Sequence, residues 1–234
     1  MKELENEIAS VLYGQGACLV RFVDVTGLPA EQNRSLPNAV FFGLPLPPPY
    51  IRKVRETADY VQNLIAEGLT EQDEFYLTEC KAGRLADQVA DLLIEHGYRA
   101  YPQSDQNLIA TGAWNEKESR TVLPHKTLAV MAGAGWIGKN NLFITPEYGP
   151  ALCIGTILTN APLDARPPLV IKTKCGTCKK CVDVCQTNAL QGNNWENNIA
   201  REYIIDIHKC TTCLKCMVHC PYTLKYTKLH ERDK

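Results

Sequence analysis

The sequence lacks several patterns that would assign it to common protein classes. No apolar run of about 18 residues or more occurs in its 234 positions, which argues against a transmembrane helix. Residues 1–12 are acidic and amphipathic and do not show the basic-then-apolar order of a secretory signal. We therefore expect a cytoplasmic protein that makes no membrane contact.

Familiar catalytic constellations are also missing. No Ser–His–Asp arrangement and no pair of carboxylates can be argued, and four of the five histidines have no metal-ligand spacing. His125 follows Pro124 at a predicted helix start. It is either a group that faces a ligand or an ordinary residue of the capping region. No catalytic residue is therefore assigned from the residues alone.

Cysteine, in contrast, is abundant and clustered. Eight of the 11 cysteines lie between residues 175 and 220, in two runs that share the spacing C-x2-C-x2-C-x3-C. Without a secretory signal, metal ligation explains such a pattern better than disulfide bonds. The spacing is that of bacterial two-cluster ferredoxins, whereas structural zinc sites usually combine two shorter cysteine pairs from separate loops. The runs therefore predict two [4Fe-4S] clusters.

The ferredoxin pattern also predicts which cysteines share a cluster. Three closely spaced thiolates hold one cluster, and the fourth cysteine of the run reaches across to the other. The first cluster is accordingly assigned to Cys175, Cys178, Cys181 and Cys220. The second cluster is assigned to Cys210, Cys213, Cys216 and Cys185.

The formal net charge of −1 is spread unevenly. Residues 171–234 carry +5, from 11 Lys/Arg and 6 Asp/Glu, and the rest of the chain carries −6. A basic region can indicate nucleic-acid binding. Two oxidised clusters would each carry about −2 with their thiolates and would offset most of this charge. We interpret the basic balance mainly as compensation for the clusters.

The segment MAGAGWIGKNN, at 131–141, contains two incomplete nucleotide-binding patterns. Its three glycines fit G-x-G-x-x-G, but two asparagines and a nearby proline follow Gly138 and do not predict the helix that a dinucleotide site needs. A P-loop would need a hydroxyl residue where Asn140 stands. We interpret the segment as a tight turn between a helix at 124–132 and a strand at 141–145.

The residues before the cysteine runs alternate between helix and strand patterns. Helices are predicted near 4–14, 51–67 and 71–96, and buried strands near 17–25, 38–46 and 151–160. Within the cysteine region, a short strand is predicted at 202–208. The alternation predicts an α/β layer fold over residues 1–170, followed by a ferredoxin-like α+β domain over 171–234.

Three stretches of the sequence resemble one known family in order and spacing. They are AGAGWIGKNNLFITPEYG at 132–149, ILTNAPL at 157–163 and CGTCKKCVDVCQTNAL at 175–190. In these stretches the chain resembles the epoxyqueuosine reductases, whose core is similar to that of the reductive dehalogenases. The early strands at 17–25 and 38–46 also look like that family's.

The resemblance implies a nitroreductase-like α/β core, at 1–170, that binds a corrinoid (cobalamin) reduced by two [4Fe-4S] clusters. Cubane clusters reach the low potentials that cobalt reduction requires. A low-potential donor such as a ferredoxin or flavodoxin is the expected source of electrons. The implied cobalamin contacts are Gly133, Gly135, Trp136, Gly138, Lys139 and Asn140.

The sequence departs from the family's pattern in three respects. The aspartate that the family places ahead of A-G-x-G-W is replaced near Ser119, so the catalytic acid is unassigned. The second cysteine run is more compact than is usual in the family. We also expect a short form without the helical-repeat tail that helps longer members to hold tRNA. These departures affect the inferred tRNA substrate more than the inferred corrinoid.

The leading hypothesis is an iron–sulfur oxidoreductase similar to epoxyqueuosine reductase. One alternative is an electron-transfer or activating protein that serves a partner, such as another corrinoid protein, and has no substrate of its own. Another is a flavin-containing, nitroreductase-like enzyme.

Overall fold

A computed structural model of the protein describes residues 2–197 and 199–229. Its helices are α1 (Lys2–Gly14), α2 (Ala30–Asn33), α3 (Pro48–Glu56), α4 (Tyr60–Ala66), α5 (Glu74–Glu95), α6 (Asp105–Ala110), α7 (His125–Met131), α8 (Lys180–Asp183), α9 (Lys215–Val218) and α10 (Pro221–Leu229). Its strands are β1 (Leu19–Asp24), β2 (Asn38–Pro45), β3 (Ala100–Pro102), β4 (Trp114–Asn115), β5 (Arg120–Thr121), β6 (Trp136–Ile137), β7 (Phe143–Ile144) and β8 (Leu152–Thr159). The mixture confirms the predicted α/β class.

The helices α1 and α5 follow the predicted amphipathic pattern. Leu4, Ile8 and Leu12 of α1 are buried, at the four-residue spacing that places side chains on one helix face. Helix α5 ends before Gly97, whose φ of 83° suits the left-handed position at which helices commonly terminate. No helix within residues 2–197 and 199–229 is long and apolar enough to cross a bilayer.

The chain forms two compact units, each assembled from separate segments. The first contains the residues up to Pro45, Thr78–Ala134 and Cys153–Val170. The second contains Leu46–Leu77, Gly135–Leu152 and the residues from Ile171 onward. The predicted border at residue 170 coincides with one border between the units. The assignment of a corrinoid-binding domain to 1–170 and a ferredoxin domain to 171–234 stays a prediction.

A four-stranded sheet in the order β1-β2-β8-β3 organises the first unit. Strands β1 and β2 pair antiparallel, from Leu19 opposite Gly43 to Asp24 opposite Asn38. Strand β3 pairs antiparallel with β8. The three predicted buried strands are therefore β1, β2 and β8.

Hydrophobic cores cover both faces of this sheet. Val20 and Val40 lie in the core that α1 and α5 share, whereas Val23 and Ala39 lie in the core that α7 shares. Neighbouring strand residues point to opposite faces, so the same strands contribute to both cores. Burial on both faces explains the six consecutive buried residues of β2, whereas β1 also carries an exposed Arg21.

The second unit contains α3, α4, the β6–β7 hairpin and the two cysteine runs. The Tyr50 hydroxyl donates to both carboxylate oxygens of buried Asp73, at 2.9 Å each. Asp73 Oδ1 also accepts the amide of Phe75 at 3.0 Å, at the start of α5. The Tyr226 hydroxyl of α10 donates to the carbonyl of Leu46 at 3.1 Å. Polar contacts thus connect segments that are distant in sequence.

The predicted helix at 51–67 is wrong in its bounds and continuity. The segment forms α3 and α4, which are separated by extended Thr57 (φ −93°, ψ 126°) and left-handed Asp59 (φ 48°). Helix α3 also begins earlier than predicted, at Pro48. Proline is tolerated in a first helical turn because the N–H groups there have no partner within the helix.

The predicted strand at 202–208 is also wrong. Arg201–Tyr203 forms a 3₁₀ turn, and Ile205 makes only an isolated bridge to Leu190. The Asp206 side chain then accepts the amide of His208 at 3.1 Å, which turns the backbone. Ile204 and Ile205 of this segment are buried, whereas Tyr203 is 63% exposed.

Candidate metal centre

The two cysteine runs have the same local structure. In each run the first two cysteines lie in a loop, the third lies in a one-turn helix and the fourth follows that helix. Helix α8 carries Cys181 and α9 carries Cys216. Left-handed residues, Gly176 (φ 51°) and Thr212 (φ 53°), tighten the two loops. Equal spacing in the sequence therefore gives the same order of loop and one-turn helix.

One group of neighbouring thiols combines the first run with Cys220. Burial raises the pKa of Cys220 to about 11, and negative charge on nearby Cys175 and Cys178 also raises it. Burial raises the pKa of Cys181 to about 11 as well, and the other three thiols add to the effect. Charge effects of this kind require proximity. The group contains the four residues predicted for the first cluster.

A second group of thiols surrounds Cys216. Burial is the main cause that raises the pKa of Cys216, and four thiols contribute further. In decreasing order of effect, these are Cys213, Cys181, Cys210 and Cys185. Cys185 comes from the first run, so this group crosses between the runs as well. The effect of Cys181 indicates that the two groups adjoin.

Backbone amides surround the two crossing cysteines. At Cys220, two amides of the first turn of α10 lower the pKa against the larger opposite effect of burial. At Cys185 burial alone would raise the pKa, but amides that include those of Leu190 and Ala189 bring it below its ordinary value. Amide donors stabilise the thiolate, which is the form that binds metal.

The sequence pattern of the two thiol groups favours a cluster over a single zinc ion. A structural zinc site holds its sulfurs at about 2.3 Å from one metal. Within the part of the chain that the structure describes, no three Cys, His, Asp or Glu side chains converge closely enough to hold a single ion. A [4Fe-4S] cluster takes one thiolate at each of four corners and holds its ligands farther apart. Because burial raises the pKa of Cys181, Cys216 and Cys220, cluster assembly must release their protons.

The glycine turn is a tightly packed hairpin. Strands β6 and β7 pair antiparallel, with Trp136 opposite Ile144. A Cβ on Gly135 would lie 2.0 Å from the Ile144 carbonyl oxygen, and one on Gly138 would lie 2.3 Å from Ile144 Cδ1. Packing against the β7 backbone therefore requires glycine at 135, whereas a Cβ at 138 would require the Ile144 and Asn140 side chains to shift. The next regular element after Gly138 is strand β7, in agreement with the predicted turn into a strand.

Two side chains of this turn contact the cysteine runs. Trp136 is fully buried and packs with Cys175 and Cys220. The Asn140 side-chain amide donates to the Cys216 carbonyl at 3.5 Å. Lys139 is also buried, at 5% exposure. Gly133 belongs to the first unit, where it has a φ of 62° and lies close to Leu169. Contact between any of the six predicted residues and a corrinoid stays a prediction.

The end of α3 and the link between α3 and α4 also contact the cysteine runs. Lys215 Nζ donates to the carbonyls of Val54 and Thr57, at 2.7 and 2.8 Å, near the end of α3. The Gln186 side chain donates to Asp59 at 3.2 Å. A cation at a helix C-terminus satisfies exposed carbonyls and complements the helix dipole. No motif in the sequence indicates these long-range contacts.

Ser119 lies in the exposed turn of a small hairpin in the first unit. Strands β4 and β5 pair antiparallel on either side of it, with Trp114 opposite Thr121. Ser119 adopts a left-handed φ of 46°, and its hydroxyl donates to the Glu116 carbonyl at 3.4 Å. The position at which the resemblance expects a carboxylic acid therefore carries only a hydroxyl.

His125 starts α7, as predicted, and lies in a hydrogen-bonded group within the first unit. Its Nδ1 is 2.7 Å from Thr156 Oγ1, and Gln103 Nε2 donates to the same oxygen at 2.6 Å. The Thr156 hydroxyl can therefore donate to Nδ1 and leave the proton of the neutral ring on Nε2. Burial lowers the pKa of His125 to about 4. These contacts favour the structural interpretation of His125.

We expect this histidine to make the protein less stable in mild acid. The folded pKa of about 4 lies below the unfolded value of 6.5, so the unfolded chain binds the proton more tightly. The contribution of neutral His125 to the free energy of unfolding is complete above about pH 6.5 and is lost as the pH falls toward 4. Between pH 7 and pH 5, the free energy of unfolding should fall by about 2 kcal/mol. In anaerobic urea unfolding, the free energy of unfolding of His125→Gln should depend less steeply on pH than that of the wild type. Equal slopes for the variant and the wild type would contradict the assignment.

Residues 174–224 match the family model of the 4Fe-4S dicluster domain. This range includes all eight cysteines of the two runs, from Cys175 to Cys220. The match confirms the predicted ferredoxin-like iron–sulfur domain near the C-terminus. The number of clusters and the ligands of each one stay predictions.

Curated proteins named epoxyqueuosine reductase are similar to part of the chain. One from Synechococcus sp. strain CC9605 is 34% identical over 116 residues, which cover 45% of this chain and 33% of that protein. One from Listeria monocytogenes is 35% identical over 109 residues, which cover 41% of this chain and 28% of that protein. The matches thus span about a third or less of these relatives. They confirm the resemblance to the epoxyqueuosine reductases.

Solved structures share the fold over nearly the whole chain. A reductive dehalogenase, whose structure suggests a mechanism for B12-dependent dehalogenation, superposes with a TM-score of 0.66 at 17% identity and covers 96% of this chain and 33% of its own. An epoxyqueuosine reductase with an epoxyqueuosine-modified tRNA-Tyr stem loop superposes with a TM-score of 0.57 at 17% identity. The match covers 95% of this chain and 66% of that one. At these identities the likeness establishes the fold alone.

Proposed function

We propose that this protein is a cytoplasmic iron–sulfur oxidoreductase, similar to epoxyqueuosine reductase, that passes low-potential electrons through two [4Fe-4S] clusters to a corrinoid. The observation that carries the proposal is the crossing of the thiol groups, in which Cys220 joins the first run and Cys185 joins the second. That crossing is the ligand pattern of two-cluster ferredoxins. The dicluster match over 174–224 supports the same interpretation.

The chain's own residues bind and shield the first cluster. Trp136 and Ile144 are buried against Cys220, which keeps water away from that thiolate. Lys174 precedes the first ligand, and its Nζ lies 5.6 Å from the centre of the Trp136 ring. A nearby cation stabilises the negative charge that a cluster gains on reduction. Lys215, in contrast, directs its charge to the carbonyls of α3.

The corrinoid part of the proposal is supported by the family resemblance and by the fold shared with a reductive dehalogenase. A bound corrinoid would supply a cobalt centre whose reduction needs low-potential electrons. The proposed contacts are Gly133, Gly135, Trp136, Gly138, Lys139 and Asn140. The three side chains of this set that are not glycine, Trp136, Lys139 and Asn140, are buried in the protein. Their contact with a corrinoid therefore requires a direct binding test.

The proposed electron donor is a reduced ferredoxin or flavodoxin. Epoxyqueuosine in tRNA is the first substrate to test, because one solved relative holds a stem loop with that modification. Ser119 favours a second candidate function, since the residue at the expected acid position is a hydroxyl in an exposed turn. In this alternative, the protein delivers electrons to a partner such as another corrinoid protein. The remaining alternative places flavin where the corrinoid is proposed.

One anaerobic preparation tests the proposal. Reconstituted protein should contain about eight iron and eight sulfide atoms per chain, as two cubane clusters require. Titration with cobalamin should give saturable spectral changes, whereas acid release should yield no flavin. Cys80→Ser, which changes a half-buried cysteine of α5 outside both groups, should retain the full iron content.

The outcomes distinguish the candidates. Turnover of an epoxyqueuosine stem loop with a low-potential reductant would exclude the carrier without a substrate of its own. Full clusters and no affinity for any cobalamin form would overturn the corrinoid part. Released flavin would favour the nitroreductase-like enzyme, and protein that assembles no iron–sulfur cluster would overturn the whole proposal.

A further inference from the structure

Two buried polar groups near the first thiol group have no hydrogen-bond partner among the described residues. They are Nε1 of Trp136 and Oγ1 of Thr223. Both side chains are 0% exposed, so solvent does not serve them either. A buried donor without a partner is costly, and most buried polar groups in proteins are paired. The two groups are therefore free to donate to an acceptor that the described residues do not supply.

The surroundings of Trp136 identify where that acceptor lies. The indole ring packs with Cys175 and Cys220, one from each cysteine run. Tyr222 meets it edge to face, with the ring centres 5.1 Å apart. None of these neighbours accepts a hydrogen bond from Nε1 of Trp136. The ring is thus enclosed beside two of the proposed ligands of the first cluster.

Thr223 approaches the same place from the start of α10. It follows Cys220 by three residues, and its backbone amide is one of two that hydrogen-bond to the Cys220 sulfur. Gly149 lies so close that a Cβ there would be 2.8 Å from Thr223 Oγ1. The hydroxyl is therefore held in a narrow space, within the turn whose amides face the Cys220 sulfur.

We propose that the Trp136 indole N–H and the Thr223 hydroxyl donate hydrogen bonds to sulfur atoms of the first cluster and raise its reduction potential. The inference rests on the proposed function for the existence of that cluster. Hydrogen bonds to the sulfurs are one of the factors that set cluster potentials. On reduction the cluster gains one electron and its sulfurs become more negative, so the hydrogen bonds strengthen. No bond breaks and no proton is transferred.

Thr223 provides the cleaner test because its size can be kept. Thr223→Val removes the hydroxyl at nearly constant volume, and Thr223→Ser keeps it. In an EPR-monitored redox titration of the reconstituted holoprotein, Thr223→Val should lower one of two midpoint potentials and leave the other unchanged. Thr223→Ser should retain both wild-type values. Cys216→Ser identifies the two midpoints, because it should remove the second cluster. The midpoint that disappears in Cys216→Ser should be the one that Thr223→Val leaves unchanged.

Trp136 is tested with a packing control. Trp136→Phe keeps an aromatic ring without the N–H, and Ile144→Val removes one methyl group from the same buried cluster. Trp136→Phe should lower the midpoint that Thr223→Val lowers, whereas Ile144→Val should not. The EPR signal of that cluster should also lose an exchangeable proton coupling, detected by ENDOR after transfer to D2O.

Other results would overturn the inference. Wild-type midpoints in both Thr223→Val and Trp136→Phe would do so, as would equal shifts of the two clusters. A shift in Ile144→Val as large as that in Trp136→Phe would assign the effect to packing. In each of these cases the wild-type clusters still form, so the proposed function stands. Absence of clusters from the wild type would instead overturn the proposed function.

Discussion

The double variant Cys185→Ser/Cys216→Ser is expected to keep one cluster, whereas Cys178→Ser/Cys185→Ser is expected to lose both. The reason is the crossed grouping of the thiols. Cys185 and Cys216 belong to one group, so their loss damages one cluster twice. Cys178 and Cys185 come from one run but belong to different groups, so each substitution damages a different cluster.

Iron analysis after anaerobic reconstitution measures the difference. The first double variant should hold about four iron atoms per chain and the second close to none, against about eight for the wild type. The single variant Cys216→Ser should match the first double variant. Circular dichroism must find both double variants folded. The reverse order, with iron lost from Cys185→Ser/Cys216→Ser and kept in Cys178→Ser/Cys185→Ser, would contradict the crossing.

Gly135→Ala is expected to destabilise the second unit by about 3 kcal/mol or more, the upper range for overpacking. The added Cβ would lie 2.0 Å from the Ile144 carbonyl oxygen and 2.9 Å from its carbonyl carbon. Both atoms are backbone, so relief requires the β6–β7 hairpin to open. Opening it would also displace Trp136, which pairs with Ile144 and packs against Cys175 and Cys220.

Urea unfolding and iron content together measure the effect of Gly135→Ala. The iron content per chain should fall together with the stability, because Trp136, which shields the first thiol group in the wild type, would be displaced. Gly27→Ala is the matched control, since nothing lies within 4 Å of its added Cβ and its backbone is not left-handed. That control should stay within about 0.5 kcal/mol of the wild type. A similarly small effect of Gly135→Ala would show that the hairpin packs less tightly than described.

The hydrophobic pattern of the sequence was sufficient to predict the helices that bury one face and the strands that lie within a core. Leu4, Ile8 and Leu12 give α1 its buried face, and the apolar runs of β1, β2 and β8 match strands covered on both sides. The same reasoning failed at 202–208, where Ile205 makes only an isolated bridge to Leu190. It also failed at Asp59, where one left-handed residue divides a helical pattern.

For the candidate site, the sequence alone determined the chemistry of the ligands. Cysteine spacing acts over a few residues, so it fixes the loop and one-turn helix of each run, and it predicts iron–sulfur clusters before any fold is known. The sequence also favoured a turn into a strand over a nucleotide loop at 133–140, because two asparagines and a nearby proline follow Gly138.

Only the tertiary structure decided what surrounds those ligands. It brought Trp136 against Cys175 and Cys220, placed Thr223 unpaired near them, and anchored Lys215 to the end of α3. The Trp136 and Lys215 contacts join residues that are far apart in sequence, so no local pattern encodes them. The turn that the sequence compares with a corrinoid site is, in the folded chain, part of the support for the cysteine runs.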